Sequence, residues 1–191
     1  MLHASYIIVI CWMIFLVYWI INWKSVKPTK EIAWRSPNFW WTRFWIIVLI
    51  ILLGRFLFST TGIQIFKPTN QFSIVEVVGI ILTVIGLIIA IVARRTLGDN
   101  WSSDIELKKE HELITRGIYQ YVRHPIYTGL LFMGVGSIMA LQTIWHTIFF
   151  IFMFGFLYFK MKKEETLMLK HFHKEYEAYM KKTKALIPFI Y

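Results

Sequence analysis

PIYTGLLFMGVGSIMALQTIWHTIFFIFMFGFLYF, residues Pro125–Phe159, contains no Asp, Glu, Lys or Arg. As one helix it would be ~52 Å long at ~1.5 Å per residue, whereas a bilayer's hydrocarbon core is ~30 Å thick. A helical hairpin resolves the mismatch. It would turn near Gln142-Thr143, with arms of about Ile126–Leu141 and Ile144–Phe159. Working upstream, Ile74–Ala93 is a second kind of apolar run, with Glu76 at its mouth. Its Gly79, Gly86, Ala90 and Ala93 recur at helical spacing and form one small-residue face suited to close helix packing. Phe39–Phe58 predicts a further span, with Arg43 and Arg55 near its ends to snorkel and Trp40, Trp41 and Trp45 as an aromatic belt. Met1–Trp23 is free of Asp, Glu, Lys and Arg, and Tyr6–Ile21 is almost wholly apolar. A cleaved signal peptide would carry a basic start and a small-residue cleavage site; with neither present, this reads as the first span. The expectation is an all-α membrane protein of about five transmembrane helices.

Composition agrees. The chain of 191 residues is 57% hydrophobic and 17% charged, against about 25% charged in average soluble domains. Its formal net charge is +10, and the basic residues lie between apolar runs, which points to an anionic membrane surface rather than to nucleic acid. Lys24, Lys27, Lys30 and Arg35 share one side of a five-span topology with Arg94, Arg95, Lys108, Lys109, Arg116 and Arg123, and with eight lysines after Phe159. That places 18 of the 21 Lys and Arg on one face. The positive-inside rule then puts the N-terminus outside and the C-terminus in the cytoplasm. A lone cysteine, Cys11, excludes an intramolecular disulfide framework and multi-cysteine metal sites.

Chemistry on hydrophilic molecules is expected in two polar cytoplasmic segments, about Arg94–His124 and Lys160–Tyr191. In the first, Gly98-Asp99-Asn100 and Gly117 signal turns, and Ser103–Leu107 alternates weakly, as a short strand does. The segment ends in Arg123-His124-Pro125, with proline suited to the first position of a helix. His124 therefore sits at a helix N-terminus, whose dipole would hold the ring neutral and welcome an anion; the plainer reading is an interfacial boundary residue. In the second, helical periodicity from Met161 to Met180 predicts that the last span continues as an amphipathic helix. Glu164 and Glu165 are adjacent and so face different sides. Lys160 and Glu164 are an i,i+4 pair in the weaker Lys-then-Glu order. His171 and His173 are two apart with no partner at i+4, so no metal site is expected there. No serine lies in a nucleophile elbow, and no glycine-rich phosphate loop is present.

Four ordered fragments carry a family resemblance: LGDNWS (Leu97–Ser102), HELITRGIYQYVRHPIYTG (His111–Gly129), KKEETLML (Lys162–Leu169) and EYEAYMKKTKALIPF (Glu175–Phe189). Together they resemble the isoprenylcysteine carboxyl methyltransferase family, including its short archaeal and bacterial members. The resemblance covers about the C-terminal half; the first three spans share only their apolar character. Related phospholipid methyltransferases and some sterol reductases share parts of the pattern.

The resemblance implies an S-adenosylmethionine-dependent membrane enzyme with a cytoplasmic cofactor pocket built by the C-terminal half. It divides the chain into residues 1–93, three N-terminal spans, and residues 94–191, the catalytic half containing the hairpin 126–159. Carried over by position, His111, Glu112, Leu113, Ile114, Tyr119, His124, Pro125, Ile126 and Tyr127 match cofactor-contacting positions, and Glu164 matches the acidic residue that holds the cofactor. Glu106 falls near a further contact where the family has a side-chain amide. Lys160 stands where the family commonly has an arginine for the substrate carboxylate; it keeps the charge and loses the bidentate fork. The implied acceptor is a lipophilic or prenylated molecule entering from the membrane, with no metal and no nucleic acid. An acceptor carboxylate needs no general base, because it is already ionised near neutral pH. Methylation of a phospholipid amine or another lipophilic molecule is the alternative, and a non-enzymatic membrane scaffold is a second one. Lysine, isoleucine and short loops point to a prokaryotic cell membrane.

Overall fold

The computed structural model describes residues 2–22, 29–34, 73–101, 105–108 and 112–187. Its elements are α1 (Leu2–Ile21), β1 (Thr29–Trp34), α2 (Ile74–Leu97), β2 (Ile105–Lys108), α3 (Pro125–Leu141) and α4 (Ile144–Lys182), with short 3₁₀ turns at Gly98–Asn100 and Gly117–Gln120. Among the described residues, three helices are long and apolar enough to cross a membrane, spanning Ala4–Ile21, Ile74–Asn100 and within Ile144–Lys182, and Pro125–Leu141 is a shorter apolar helix. The span expected at Phe39–Phe58 lies outside the described residues. The two 3₁₀ turns fall where the glycine signals place them, and Gly117 takes φ +62°, a conformation that glycine adopts without a Cβ clash. Beside the helices, β1 and β2 pair antiparallel, with Ile32 opposite Glu106 and Trp34 opposite Ile105. The weak alternation near Ser103–Leu107 marks this short ladder, a minor addition to a helical protein.

The hairpin forms as expected. Gln142 takes the left-handed conformation (φ 49°, ψ 41°) that ends α3, and Thr143 precedes α4. Pro125 occupies the first turn of α3, with His124 as its N-cap. At the other end of the bundle, Ser73 caps α2 in a capping box with Glu76, satisfying backbone donors that lipid could not.

Small residues set how closely α2 and α3 cross. A Cβ added at Gly79 would stand 2.6 Å from both the Ala140 nitrogen and the Gly136 oxygen. One added at Gly86 would stand 2.5 Å from the Gly129 oxygen and 2.6 Å from the Met133 nitrogen. All four obstacles are backbone atoms that cannot swing aside. Gly86→Ala is therefore expected to cost about 1–3 kcal/mol by overpacking, read as a lower unfolding midpoint in detergent. Gly155→Ala is the control, since nothing lies within 4 Å of its added Cβ. Equal midpoints for the Gly86 variant and the parent would refute the close crossing.

α1 completes the core with Ile8, Cys11, Trp12, Phe15 and Trp19. The Trp12 indole donates to the Ser137 hydroxyl at 3.0 Å, so its N–H is not left bare in the interior. Buried Arg94 ties the ends of α1 and α2 together. Its guanidinium donates to the Gly98 carbonyl at 2.7 Å and to the Asn22 carbonyl at 2.9 Å, and lies 4.6 Å from the centre of the Trp101 ring.

One expectation for α4 needs correction. Periodicity predicts an unbroken amphipathic helix over Met161–Met180, but the backbone leaves the helical region at His173 (φ 43°, ψ −120°). The reason lies in what the far end reaches. In a straight helix Glu165 and Met180 would be ~22 Å apart at ~1.5 Å per residue. Yet the Arg123 side chain contacts both, through the Glu165 carboxylate at 2.9 Å and the Met180 carbonyl at 3.4 Å. The break turns the last helical turns back toward the start of α3.

Candidate functional site

The charged residues gather where the N-terminus of α3 meets the middle of α4. Pro125 starts α3 one residue after His124, which aims the imidazole at α4 just where Glu164 and Glu165 stand. His124 Nδ1 is 3.6 Å from Glu164 Oε2, and its Nε2 is 3.4 Å from Glu165 Oε1. One turn into α3, Tyr127 stacks on His124 with ring centres 5.5 Å apart and planes within 6°. The Tyr127 hydroxyl donates to Glu164 at 2.7 Å. Lys160, one turn before Glu164, brings its Nζ to 3.8 Å from the same carboxylate and 5.9 Å from the centre of the Tyr127 ring. The imidazole thus has a glutamate on each side.

Adjacent glutamates take separate roles because one helical step rotates them apart. The Glu165 side chain is 6% exposed and that of Glu164 is 24%. Burial alone would raise the Glu165 carboxyl, but the facing His124 and the Arg123 guanidinium outweigh it and hold it down to about 2. Its folded value lies below its ordinary value of 4.5, so its contribution to stability is complete above that pH and is lost as pH falls towards 2. The unfolding midpoint of Glu165→Gln is therefore expected to lie below the parent's at pH 6, with the gap closing between pH 4.5 and 2. A gap independent of pH would show that the carboxylate charge is not what matters.

Tyr119 is buried, and its carbonyl accepts a hydrogen bond from the Tyr179 hydroxyl at 2.6 Å. Burial first, then Tyr179 and Glu164, push its phenol well above the ordinary range, so it stays a donor. Burial also raises the Tyr179 phenol, to about 12 against the opposing pull of Arg123.

The structure therefore brings together His124, Tyr127, Lys160 and Glu164, with Tyr119 close by and Pro125 and Ile126 in the adjoining turn. Glu112 is exposed and Leu113 and Ile114 are half-buried in the stretch leading to Gly117; the described contacts leave these three outside the charged group. Glu106 sits on β2, paired through the backbone with Ile32, and His111 lies outside the described residues. Lys160 is 4% exposed, which does not match a snorkelling lysine in water. Among the described residues no group of three or more His, Cys, Asp and Glu could hold a metal. The sequence gives no role to Arg123, Glu165, Thr128 or Tyr179, although Arg123 and Glu165 each stand next to a candidate site residue.

An apolar groove opens between α3 and α4 beside this group. Tyr127, Leu131, Phe150, Met153, Leu157 and Met161 line it together with Leu186 from the chain after α4, and their side chains largely fill it. Tyr127 belongs to both the groove and the charged group. Apolar helices long enough to span a membrane, with a charged cluster where α3 meets α4, define an integral membrane protein with a polar site.

Comparison with known proteins identifies the kind. Residues 78–170 match the model of the isoprenylcysteine carboxyl methyltransferase family. A probable protein-S-isoprenylcysteine O-methyltransferase of Oryza sativa subsp. indica is 31% identical over 133 residues, covering 68% of this chain and 70% of that protein. The protein-S-isoprenylcysteine O-methyltransferase of Saccharomyces cerevisiae is 30% identical over 146 residues, covering 75% of this chain and 60% of that one. A solved structure of the eukaryotic intramembrane Ras methyltransferase, an isoprenylcysteine carboxyl methyltransferase, aligns with TM-score 0.57 and 20% identity over 83% of this chain and 55% of its own; that likeness is one of fold. The chain belongs to the isoprenylcysteine carboxyl methyltransferase family. It is a membrane methyltransferase of that kind.

Proposed function

We propose that this protein methylates the carboxylate of a prenylated cysteine with S-adenosylmethionine, using residues 94–191 as its catalytic half. The observation that supports this most is the junction at Tyr127, which lines an apolar groove and also touches a carboxylate paired with a buried lysine. A lipid-tethered acid has the same two parts in the same order.

The residues present suit the cofactor. Glu164 is the more accessible of the two glutamates, so it is the one able to receive the cofactor's α-ammonium. His124 Nε2 is buried and makes no hydrogen bond, its nearest acceptor being the Glu165 oxygen at 3.4 Å; with the first turn of α3 it offers donors to the cofactor's carboxylate. Glu106, His111–Ile114, Tyr119 and Pro125–Tyr127 complete the proposed pocket by family position. When bound, S-adenosylmethionine supplies a methyl group on a sulfonium and leaves as a neutral thioether. Lys160 is assigned to the acceptor carboxylate, holding one oxygen in line for attack, and the apolar wall excludes water from that approach. No residue needs to remove a proton, because the acceptor carboxylate is already ionised. The basic cytoplasmic segments support a topology with the N-terminus outside and the site inside, in a prokaryotic cell membrane.

Transfer of a radiolabelled methyl group to a prenylated cysteine in lipid discs tests this reading. Label released by mild base is an ester and is the expected result. Base-stable label would instead mean an amine or ether acceptor, such as a phospholipid amine, and would overturn carboxyl methylation.

A further inference from the structure

After α4 the chain does not leave the site. Thr183–Ile187 runs back along the start of α3, where the amides of Arg123 and His124 donate to the carbonyls of Lys184 and Ala185 at 2.9 and 3.0 Å. The Thr128 hydroxyl donates to the Leu186 carbonyl at 2.6 Å. Arg123 fastens the base of this strap. Its Nε donates to Glu165 at 2.9 Å, while one terminal nitrogen donates to the carbonyls of Thr183 and Met180. Ala185 and Leu186 then bury their side chains with Met161 and Tyr127.

That placement gives Leu186 a position with consequences. It is 6% exposed and lines the apolar groove, packed with Met161 and with Tyr127, whose hydroxyl donates to Glu164. Hydrophobic attraction is non-directional, so an apolar chain lying in a groove is free to slide along it. Methyl transfer requires the reacting atoms within about 3–3.5 Å and aligned. Something must stop the chain at the right depth, and among the described lining residues Leu186 alone comes from neither α3 nor α4.

Resting on the function proposed above, we infer that Leu186 is the stop that sets how far the acceptor's apolar chain advances, placing its carboxylate at Lys160, and that Arg123 and Glu165 are positioning residues that clasp the strap carrying it. The clasp acts through the strap and touches neither reactant. Its strength comes from a buried, charge-assisted contact made by the planar guanidinium, a geometry that lysine cannot reproduce.

Full-length chain in lipid discs is compared as parent, Leu186→Ala, Leu186→Met and Arg123→Lys. The first readout is hydrogen exchange at the amides of Arg123 and His124, which donate into the strap and so report its opening. The second is steady-state methyl transfer to farnesylcysteine. Leu186→Ala is expected to lower kcat about tenfold or more with the acceptor KM little changed and exchange at the two amides unaltered. Leu186→Met, which conserves volume, should stay near the parent, showing that the alanine effect is not misfolding. Arg123→Lys should speed exchange at both amides and lower kcat as well. Parent-like kcat in Leu186→Ala would overturn the stop, and slow exchange in Arg123→Lys would overturn the clasp. A parent that transfers no methyl to farnesylcysteine refutes the proposed function and the stop with it, while the exchange measurement still judges the clasp.

Discussion

Glu164→Gln is expected to bind S-adenosylhomocysteine about ten- to a hundred-fold more weakly than the parent, from the roughly 1.5–3 kcal/mol of a charge-assisted contact. The variant keeps a carbonyl oxygen to accept the Tyr127 hydroxyl, which lies 2.7 Å from the carboxylate, so the stacked His124–Tyr127 pair should persist. What it removes is the negative charge offered to the cofactor's ammonium. It also takes the carboxylate away from Lys160, 3.8 Å distant and buried, and an undercompensated buried charge is costly. The unfolding midpoint without ligand therefore has to be measured beside the calorimetric affinity. Equal affinity in variant and parent would remove Glu164 from the cofactor site, whatever the midpoint does.

Lys160 offers the second large effect. Lys160→Gln is expected to lower kcat/KM for the prenylated acceptor about ten- to a hundred-fold, again from the loss of one charge-assisted contact. Its S-adenosylhomocysteine affinity should change much less, because the cation is assigned to the acceptor. Lys160→Arg should retain activity, since it restores the residue that the family commonly has there and adds the planar fork suited to a carboxylate. Had Lys160 been a snorkelling anchor, Lys162 and Lys163 would replace it, and the glutamine variant would work as well as the parent. That outcome would dissolve the carboxylate clamp and favour an acceptor without a carboxylate.

Both predictions concern residues whose pairing the sequence shows by spacing and whose roles the family resemblance implies. Glu164 and Lys160 are charged side chains one helical turn apart at the end of an apolar run, so their adjacency follows from helix geometry alone. His124 is legible for a similar reason, because Pro125 marks the first turn of α3. The hairpin follows from thickness: a stretch too long for one crossing, with a polar pair at its centre, has to turn there. The stripe of Gly79 and Gly86 announces a close helix neighbour, though not which one.

What the sequence by itself determined is everything that rests on local period or on the cost of putting charge in lipid: the apolar helices, the hairpin turn at Gln142-Thr143, the gathering of lysines and arginines outside the apolar runs, and the family pattern. What only the tertiary structure decided depends on contacts between residues far apart in the chain. Arg123 meets Glu165 across 42 positions and the Thr183 carbonyl across 60, and no periodicity encodes such a meeting. The break at His173 is invisible in the helical pattern of Met161–Met180, since both halves keep the same period. It appears only because hydrogen bonds from α3 bring the chain back. The difference between Glu164 and Glu165 has the same origin: two identical side chains differ in exposure and partners because the fold buries Glu165 against Arg123 and leaves Glu164 more open, and desolvation and ion pairing are properties of surroundings rather than of residue type.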